Sequence, residues 1–196
     1  MTITKQNIET VNRILNKFKK EHSKVEVFYN VCFCILIPQT RFKTVLKTVD
    51  WLKRLDFFCK PVSAIALAIS HEYFKVRYRN RKAFYLLEMK DKFDKIYEIL
   101  TSTMTPDDKR QWLMINIKGL GYKTSSHLLR NLGYQEFAII DTHIKKFMKL
   151  DDKKWNYLKV EQKFRKIATK HNLSPAQLDA IIWQNQAGVT EEEFQY

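Results

Sequence analysis

Cysteine, glycine, proline and long hydrophobic runs are all scarce in this chain of 196 residues. The three cysteines, Cys32, Cys34 and Cys59, lie in the first third of the sequence. An odd number of cysteines without the spacing of metal ligands argues for a reducing compartment. It argues against a disulfide framework and against a zinc or iron–sulfur site. The longest apolar stretch, residues 27–37, contains Asn30 and is too short to span a bilayer, so it is interpreted as a buried helix.

The first residues, "MTITKQNIETVNR", lack the apolar segment of a signal peptide. We therefore expect no membrane association and a monomer that works in the cytoplasm, or in the nucleus if the source is eukaryotic.

Positive charge, in contrast, is abundant. The chain has 35 Lys and Arg against 21 Asp and Glu, a formal net charge of +14 and a sequence pI near 9.6. A cationic surface attracts polyanions whatever the fold, and nucleic acid is the leading class of partner. With 45% hydrophobic residues, a chain of this length can form one domain or two small lobes.

Apolar residues recur at spacings of three and four almost throughout, which is the pattern of amphipathic helices. Strand alternation is absent at length, so we predict an all-α fold. Thr105 and Ser174, each followed by proline, are predicted N-caps, and Gly133 is a predicted C-cap. Four helices are predicted in the first half of the chain: one that ends near Glu21, one over residues 25–37 that ends before Pro38, one that contains residues 42–52, and a long one over residues 80–100. Four more are predicted after it: one over residues 106–116, one that ends at Gly133, and two over residues 154–170 and 175–187. A short apolar segment, "VSAIALAIS", follows Pro61.

Two of the four glycines, Gly119 and Gly121, lie on either side of one leucine in "IKGLGYK", between two predicted helices. Glycine permits positive φ and close approach of the backbone to another group. A helix that begins after the second glycine presents unpaired N–H groups and the positive end of its dipole, which suits a phosphate. Such contacts hold nucleic acid without reading its sequence.

Lys123 lies in the first turn of the second of these helices, and Asp141 follows 18 residues later (141 − 123 = 18). The flanking residues "FAIID" place the carboxylate at the start of the next helix, where it can act as an N-cap. The neutral amine of a lysine forms Schiff bases, and a carboxylate stabilises an oxocarbenium ion. Together these groups indicate cleavage of an N-glycosidic bond on DNA; ordinary surface charges are the alternative interpretation.

The stretch "KGLGYKTSSHLLRNLG" followed by "FAIIDTHI" resembles the helix-hairpin-helix and catalytic aspartate of the endonuclease III superfamily of DNA glycosylases. Within that superfamily it is most similar to the compact archaeal-type 8-oxoguanine DNA glycosylase/lyases. The likeness is most specific over residues 118–144. It is weaker over "VRYRNRKAFYLLE" and "LDAIIWQNQAG".

The resemblance implies a bifunctional DNA glycosylase and AP lyase of base excision repair. Lys123 would be the nucleophile that attacks the anomeric carbon, and Asp141 would assist departure of the base. The resulting Schiff base would permit β-elimination, and the target nucleotide would be flipped out of double-stranded DNA. We expect one helical lobe over residues 38–133, carrying the hairpin. Residues 1–37 and 134–196 would form the other, with DNA in the cleft between them.

Further DNA contacts follow from the resemblance and from the charge. The backbone amides of Gly119 and Gly121 would bind phosphate, and Gln39, in "ILIPQTRFK", would fill the gap left by the flipped base; a plain polar loop residue is the alternative for Gln39. The candidate phosphate contacts among the basic side chains are Arg41, Arg77, Arg79, Arg81 and Lys82. A solvated surface charge is the alternative for each of them.

The resemblance also places Trp183 and Asp179, four residues apart on one helix, near the base pocket. Core packing is the alternative for Trp183. No cofactor is expected to be required, and a structural monovalent cation would be held by main-chain carbonyls around Ile115, Ile117 and Leu120. An iron–sulfur cluster is not expected, because the superfamily's cluster needs four C-terminal cysteines and none follows Cys59.

One departure from the compact 8-oxoguanine enzymes concerns the lysine with which they usually end. Here the residues after Gly188, "VTEEEFQY", are acidic and contain no lysine. Another damaged base, an abasic site alone, or a helix-hairpin-helix module that binds DNA without turnover are therefore the alternatives to 8-oxoguanine excision.

Overall fold

A computed structural model describes residues 3–60, 75–150 and 155–187 of the chain. All the regular secondary structure in these ranges is helical, which confirms the predicted all-α class. The predicted apolar segment after Pro61 and the acidic residues 189–196 lie outside the described residues. The helices are α1 (Lys5–Phe18), α2 (Lys24–Leu36), α3 (Phe42–Arg54), α4 (Arg79–Asp91), α5 (Phe93–Thr101), α6 (Pro106–Asn116), α7 (Tyr122–Asn131), α8 (Thr142–Phe147), α9 (Tyr157–Lys170) and α10 (Pro175–Ala187).

Side-chain caps set several of the helix starts. Ser23 begins α2 with a reciprocal capping box to Glu26, and Thr105 accepts a hydrogen bond from the Asp108 N–H at the start of α6. Ser174 begins α10, because its hydroxyl accepts from the Gln177 N–H at 3.2 Å. The N-caps predicted at Thr105 and Ser174 are therefore confirmed. Across the described ranges, no helix is both long and apolar enough to cross a membrane.

The long helix predicted over residues 80–100 is wrong, because the structure has two helices, α4 and α5, that meet at Lys92. The backbone at Lys92 leaves the helical conformation, with φ −99° and ψ 5°, and its N–H turns back to the Met89 carbonyl. Phe93, just after the bend, packs edge-on against Phe28 with ring centroids 4.9 Å apart. No glycine or proline marks this bend, and the apolar residues keep their helical spacing across it, so the sequence does not reveal it.

The described chain divides into two compact units. The terminal unit comprises residues 1–21 and 129–196, and the middle unit comprises residues 22–128. The boundaries thus lie at 21/22 and 128/129 rather than at the predicted 37/38 and 133/134. The main difference is α2, which joins the middle unit because it packs against α3, α4 and α5.

The middle unit is built around α2, whose residues from Val27 to Leu36 are all buried. Phe28 is at the centre of an aromatic cluster with edge-to-face contacts to Phe57, Phe58 and Phe93. Burial raises the pKa of the Cys32 thiol well above its ordinary value. The interpretation of this stretch as a buried helix is confirmed.

The terminal unit packs α1 against α10, which also contacts α8 and α9. Its apolar core includes Val11 and Ile14 from α1 and Phe164 from α9. The Gln177 side-chain amide donates to Asn12 Oδ1 at 2.6 Å and so joins two parts of the chain 165 residues apart.

Candidate functional site

The glycine stretch forms a tight hairpin between α6 and α7. Gly119 has φ +91°, and a Cβ atom there would lie 2.8 Å from Tyr85 Cδ2 of α4, so the fold itself requires glycine. A Cβ atom on Gly121 would meet no protein atom within 4 Å. The packing of the chain therefore explains Gly119 but leaves Gly121 facing open space.

Gly121 is the N-terminal capping residue of α7. Its carbonyl accepts from the Ser125 N–H at 2.9 Å, and its own N–H donates to Thr124 Oγ1 at 2.8 Å. This bond corrects the prediction that the Gly121 amide binds phosphate, because its donor is used within the protein. The N–H groups of Lys123 and Thr124, in the first turn of α7, have no carbonyl one turn earlier in the helix to accept from them. They are the better candidates for an anion.

Tyr122 and Lys123, the first two residues of α7, are exposed, whereas residues 124–131, which complete the helix, are all buried. The lysine thus lies at the exposed N-terminal end of a helix whose remaining residues are enclosed. The positive end of the helix dipole lies at the same place.

Arg110 fixes α7 against α6 within the hairpin. Its guanidinium is 5% exposed, donates to Ser126 Oγ at 3.1 Å and pairs with Asp107 at 2.9 Å. It also lies over the ring of Tyr122, the residue before Lys123, at 5.6 Å. Sequence reasoning missed Arg110, because nothing distinguishes it among 35 basic residues until the fold buries it.

Asp141 is the N-cap of α8, which confirms the capping role predicted for it. Its Oδ1 atom accepts from the N–H groups of His143 at 2.8 Å and Ile144 at 3.0 Å. The side chain remains partly exposed. The two bonds hold one carboxylate oxygen in a fixed orientation.

The segment before Asp141 is held by two side chains from distant positions in the terminal unit. Asp179 accepts from the Ile139 N–H at 3.0 Å. The Tyr157 hydroxyl donates to the Ala138 carbonyl at 3.1 Å and accepts from the Ile140 N–H at 3.4 Å. The position of Asp141 therefore depends on α9 and α10 as well as on its own helix.

Asp179 and Trp183, the residues predicted for a base pocket, lie on α10. Asp179 is buried, and besides Ile139 it lies 4.0 Å from Arg130 Nη1. Trp183 is half-buried against the core of the terminal unit. Asp179 thus supports the backbone that leads to Asp141. Trp183 has the half-buried position expected of a side chain that packs against the core.

Gln39 and Arg41 lie in the turn between α2 and α3. Gln39 is exposed and has φ +55°, a left-handed conformation uncommon for a residue other than glycine. Arg41, also exposed, directly precedes α3. Exposure leaves both side chains accessible to a ligand, and their contacts to DNA remain predictions.

Lys82, predicted as a phosphate contact, is 4% exposed. Its Nζ donates to the Leu36 carbonyl at 2.6 Å, the Pro38 carbonyl at 2.7 Å and Thr40 Oγ1 at 2.8 Å. Burial lowers the pKa of Lys82 to about 8. The prediction is corrected, because the three protons of the ammonium are directed at protein acceptors and the group is shielded from solvent.

Tyr78 is a further candidate that sequence reasoning missed. It is 52% exposed, adopts φ +58° and precedes α4. The Arg77 guanidinium lies 5.2 Å from its ring, and Arg79 and Arg81 line an open cavity of about 420 Å³ beside it. In the sequence, Tyr78 could have been recognised from "RYRNR", where the aromatic residue lies between two arginines, a combination typical of nucleic-acid contacts.

The three residues predicted to supply main-chain carbonyls for a cation belong to the hairpin region. Ile115 is in the last turn of α6, where carbonyls lack intrahelical partners and the dipole is negative. The Ile117 carbonyl accepts from the Leu120 N–H at 3.2 Å. Among the described residues, no group of three or more His, Cys, Asp or Glu side chains is arranged to hold a metal ion.

Residues 9–173 match the protein family described as 8-oxoguanine DNA glycosylase. The 8-oxoguanine DNA glycosylase/AP lyase of Thermoplasma volcanium is 32% identical over 186 residues, which cover 91% of this chain and 89% of the relative.

Two solved structures are similar in fold. That of the Methanocaldococcus jannaschii 8-oxoguanine glycosylase/lyase, in complex with a 15mer DNA containing 8-oxoguanine, has a TM-score of 0.81 and 28% identity, with 92% of this chain and 91% of that one covered. A trapped endonuclease III–DNA covalent intermediate has a TM-score of 0.58 and 19% identity, with 93% and 86% covered, which shows a likeness of fold.

Proposed function

The chain belongs to the 8-oxoguanine DNA glycosylase family, and from this we propose that it excises 8-oxoguanine from double-stranded DNA as a bifunctional glycosylase and AP lyase. The observation that carries the proposal is the position of Lys123. It is an exposed lysine in the first turn of a helix that is buried from Thr124 onward, directly after the glycine hairpin. A module that only binds DNA has no need of a nucleophile there.

The chemistry follows from the side chains available. The Lys123 amine attacks the anomeric carbon of the flipped nucleotide, the bond from that carbon to the base breaks, and the base leaves with a proton. Asp141 stabilises the positive charge that develops on the sugar and relays protons. The bond from the anomeric carbon to the ring oxygen then breaks, the oxygen takes up a proton, and the nitrogen forms the C=N bond of the Schiff base. The Schiff base acidifies the neighbouring C2′–H, and after loss of that proton β-elimination breaks the bond from C3′ to the phosphate oxygen.

The hairpin supplies the grip on the DNA backbone. The first-turn N–H groups of α7 and the open space over Gly121 suit a phosphate that approaches the backbone closely. The surplus of 14 positive charges attracts the polyanion without sequence preference. The Methanocaldococcus jannaschii relative binds a 15mer DNA containing 8-oxoguanine, which supports DNA with this lesion as the ligand here.

The two hairpin glycines are expected to respond differently to substitution by alanine. Gly119→Ala places a side chain at positive φ and against Tyr85, so it should lower the free energy of unfolding by about 1–3 kcal/mol. Gly121→Ala should lower stability by no more than about 1 kcal/mol, because alanine is a poorer N-cap than glycine, and should weaken DNA binding about tenfold, because the new methyl group obstructs the phosphate. Urea denaturation and fluorescence anisotropy with a labelled duplex measure the two effects. Tight DNA binding by Gly121→Ala would place the phosphate elsewhere.

Gln39 and Tyr78 are proposed to enter the duplex at the lesion. Both are exposed in the middle unit, and both adopt a left-handed backbone conformation, which is uncommon outside glycine and is often found at functional sites. Gln39 would fill the gap left by the flipped nucleotide. Tyr78, with arginines on both sides, would stack on a neighbouring base.

Tyr78→Ala should lower kcat/KM for excision from a duplex by about tenfold to a hundredfold, the usual cost of removing an aromatic that stacks on a base. Tyr78→Phe is the matched control, because it keeps the ring and removes only the hydroxyl. Single-turnover excision rates and duplex affinity of both variants test the role. Equal losses in the two variants would contradict stacking.

Borohydride trapping on two duplexes, one with 8-oxoguanine and one with an abasic site, tests the proposed function. A covalent adduct on both supports glycosylase and lyase activity together. An adduct on the abasic duplex alone would leave a lyase and redirect the search to other damaged bases. Absence of adducts on both, with DNA binding retained, would favour the binding module.

A further inference from the structure

Lys82 is a buried charge with a specific set of acceptors. Its ammonium group has three protons, and three oxygens lie within 2.8 Å of Nζ: the carbonyls of Leu36 and Pro38 and the hydroxyl of Thr40. A buried charge is tolerated when hydrogen bonds satisfy its donors. Leu36 is the last residue of α2, so the ammonium also lies at the negative end of that helix dipole.

These acceptors lie on both sides of Gln39 in the chain. Pro38 directly precedes it and Thr40 directly follows it. The turn has two further internal bonds, from the Thr40 N–H to the Ile37 carbonyl at 3.1 Å and from the Thr40 hydroxyl to the Pro38 carbonyl at 3.4 Å. The left-handed conformation of Gln39, with φ +55°, costs about 1 kcal/mol or more, and it persists only where the surrounding contacts fix it. Lys82 holds the residues on either side and leaves the glutamine itself exposed.

We propose that Lys82 is a positioning residue that holds the Pro38–Thr40 turn so that Gln39 is ready to enter the duplex when the damaged nucleotide is flipped out. This rests on the proposed function. The basic side chain acts through Gln39 and not on a phosphate. Its loss should therefore matter only while Gln39 is present.

Lys109 provides a matched control. It too is a buried lysine of the middle unit, 3% exposed, and its Nζ donates at 2.8 Å to the carbonyl of Leu100, near the C-terminal end of α5. Lys109→Met thus removes the same kind of charge from the end of another helix. It reports what loss of a buried lysine does to stability without a contact to the Gln39 turn.

The functional test is a double-mutant cycle of Lys82→Met and Gln39→Ala, measured as single-turnover excision of 8-oxoguanine from a duplex. Lys82→Met alone should slow excision about tenfold, as small misplacements of a positioned group do. The double variant should be no slower than Gln39→Ala, because Lys82 affects excision only by positioning Gln39. Losses that multiply in the double variant, or a Lys82→Met rate equal to wild type, would overturn the proposal.

Hydrogen exchange gives a readout that does not require activity. The Thr40 amide should exchange faster in Lys82→Met than in wild type, and Lys109→Met should leave it unchanged. Unchanged Thr40 exchange in Lys82→Met overturns the positioning role even if excision slows. If wild type shows no excision at all, the proposed function fails, while the exchange result still decides whether Lys82 holds the turn.

Thr40→Val covers the case in which Lys82→Met does not fold. It removes one of the three acceptors, the hydroxyl 2.8 Å from Nζ, and keeps the charge and a side chain of similar size. Excision should slow by a smaller factor than expected for Lys82→Met, and the effect should again disappear in the Gln39→Ala background. An effect of Thr40→Val that persists in that background would overturn the proposal.

Discussion

Lys123→Gln will abolish covalent trapping and lower the rates of base excision and strand nicking by about four orders of magnitude or more, as removal of a nucleophile does. An amide does not form a Schiff base, so both activities end together. The fold should be unaffected, because Lys123 is exposed and surface substitutions usually change stability by about 0.5 kcal/mol or less. Affinity for an uncleaved duplex should fall only slightly, by the loss of one charge.

Lys118→Gln is the control for that loss of charge. Lys118 is also exposed, belongs to the same hairpin and pairs with Glu88 across 2.9 Å at the surface, an interaction that contributes little to stability. Trapping and nicking should stay near wild type in Lys118→Gln. If the two variants lose activity equally, the effect is electrostatic and Lys123 is not the nucleophile.

Asp141→Asn is expected to slow base release by a factor of about a hundred to ten thousand, the range found when a catalytic carboxylate is removed. Asparagine caps helices as well as aspartate does, so the bonds from His143 and Ile144 should persist and the fold should remain intact. Nicking of a preformed abasic site should suffer less, because the base has already left. Excision rates under single-turnover conditions measure the first effect.

Two further variants separate chemistry from helix capping. Asp141→Ala loses both functions, so it should also lower the free energy of unfolding by about 1 kcal/mol. Asn156→Ala removes a comparable cap, the bond from the Lys159 N–H at the start of α9. It should lower the free energy of unfolding and leave the excision rate unchanged. Excision by Asp141→Asn at the wild-type rate would remove Asp141 from the mechanism.

Local rules were enough to predict the hairpin and its surroundings from the sequence. The N-cap at Thr105, the C-cap at Gly133 and the cap by Asp141 each depend on residues within a few positions of one another. Gly133 has φ +93°, and the Tyr134 N–H donates to the Leu129 carbonyl, as expected for a helix that ends at a glycine. The place of Lys123 in the first turn of α7, directly after the glycine hairpin, was predicted in the same way.

Features that depend on tertiary packing were not predictable. In the sequence, Lys82 cannot be distinguished from a surface lysine. It becomes a buried hydrogen-bond donor only because α4 packs against the end of α2. The sequence predicted a Gly121 amide available for phosphate, because the bond that this N–H donates to Thr124 Oγ1 depends on the side-chain rotamer of Thr124. The grouping of α2 with the middle unit depends on which helices it contacts, and hydrophobicity alone does not specify the partner.

The order in which the chain emerges during synthesis matters differently for the two units. The middle unit is one continuous segment, so α2 to α6 and most of α7 are available once residue 128 has been made. The terminal unit is discontinuous, because α1 packs on α10 and Gln177 bonds to Asn12. Contacts so distant in sequence form late and slowly. In the nascent chain the apolar face of α1 therefore lacks its partner until α10, which ends at Ala187, has been made.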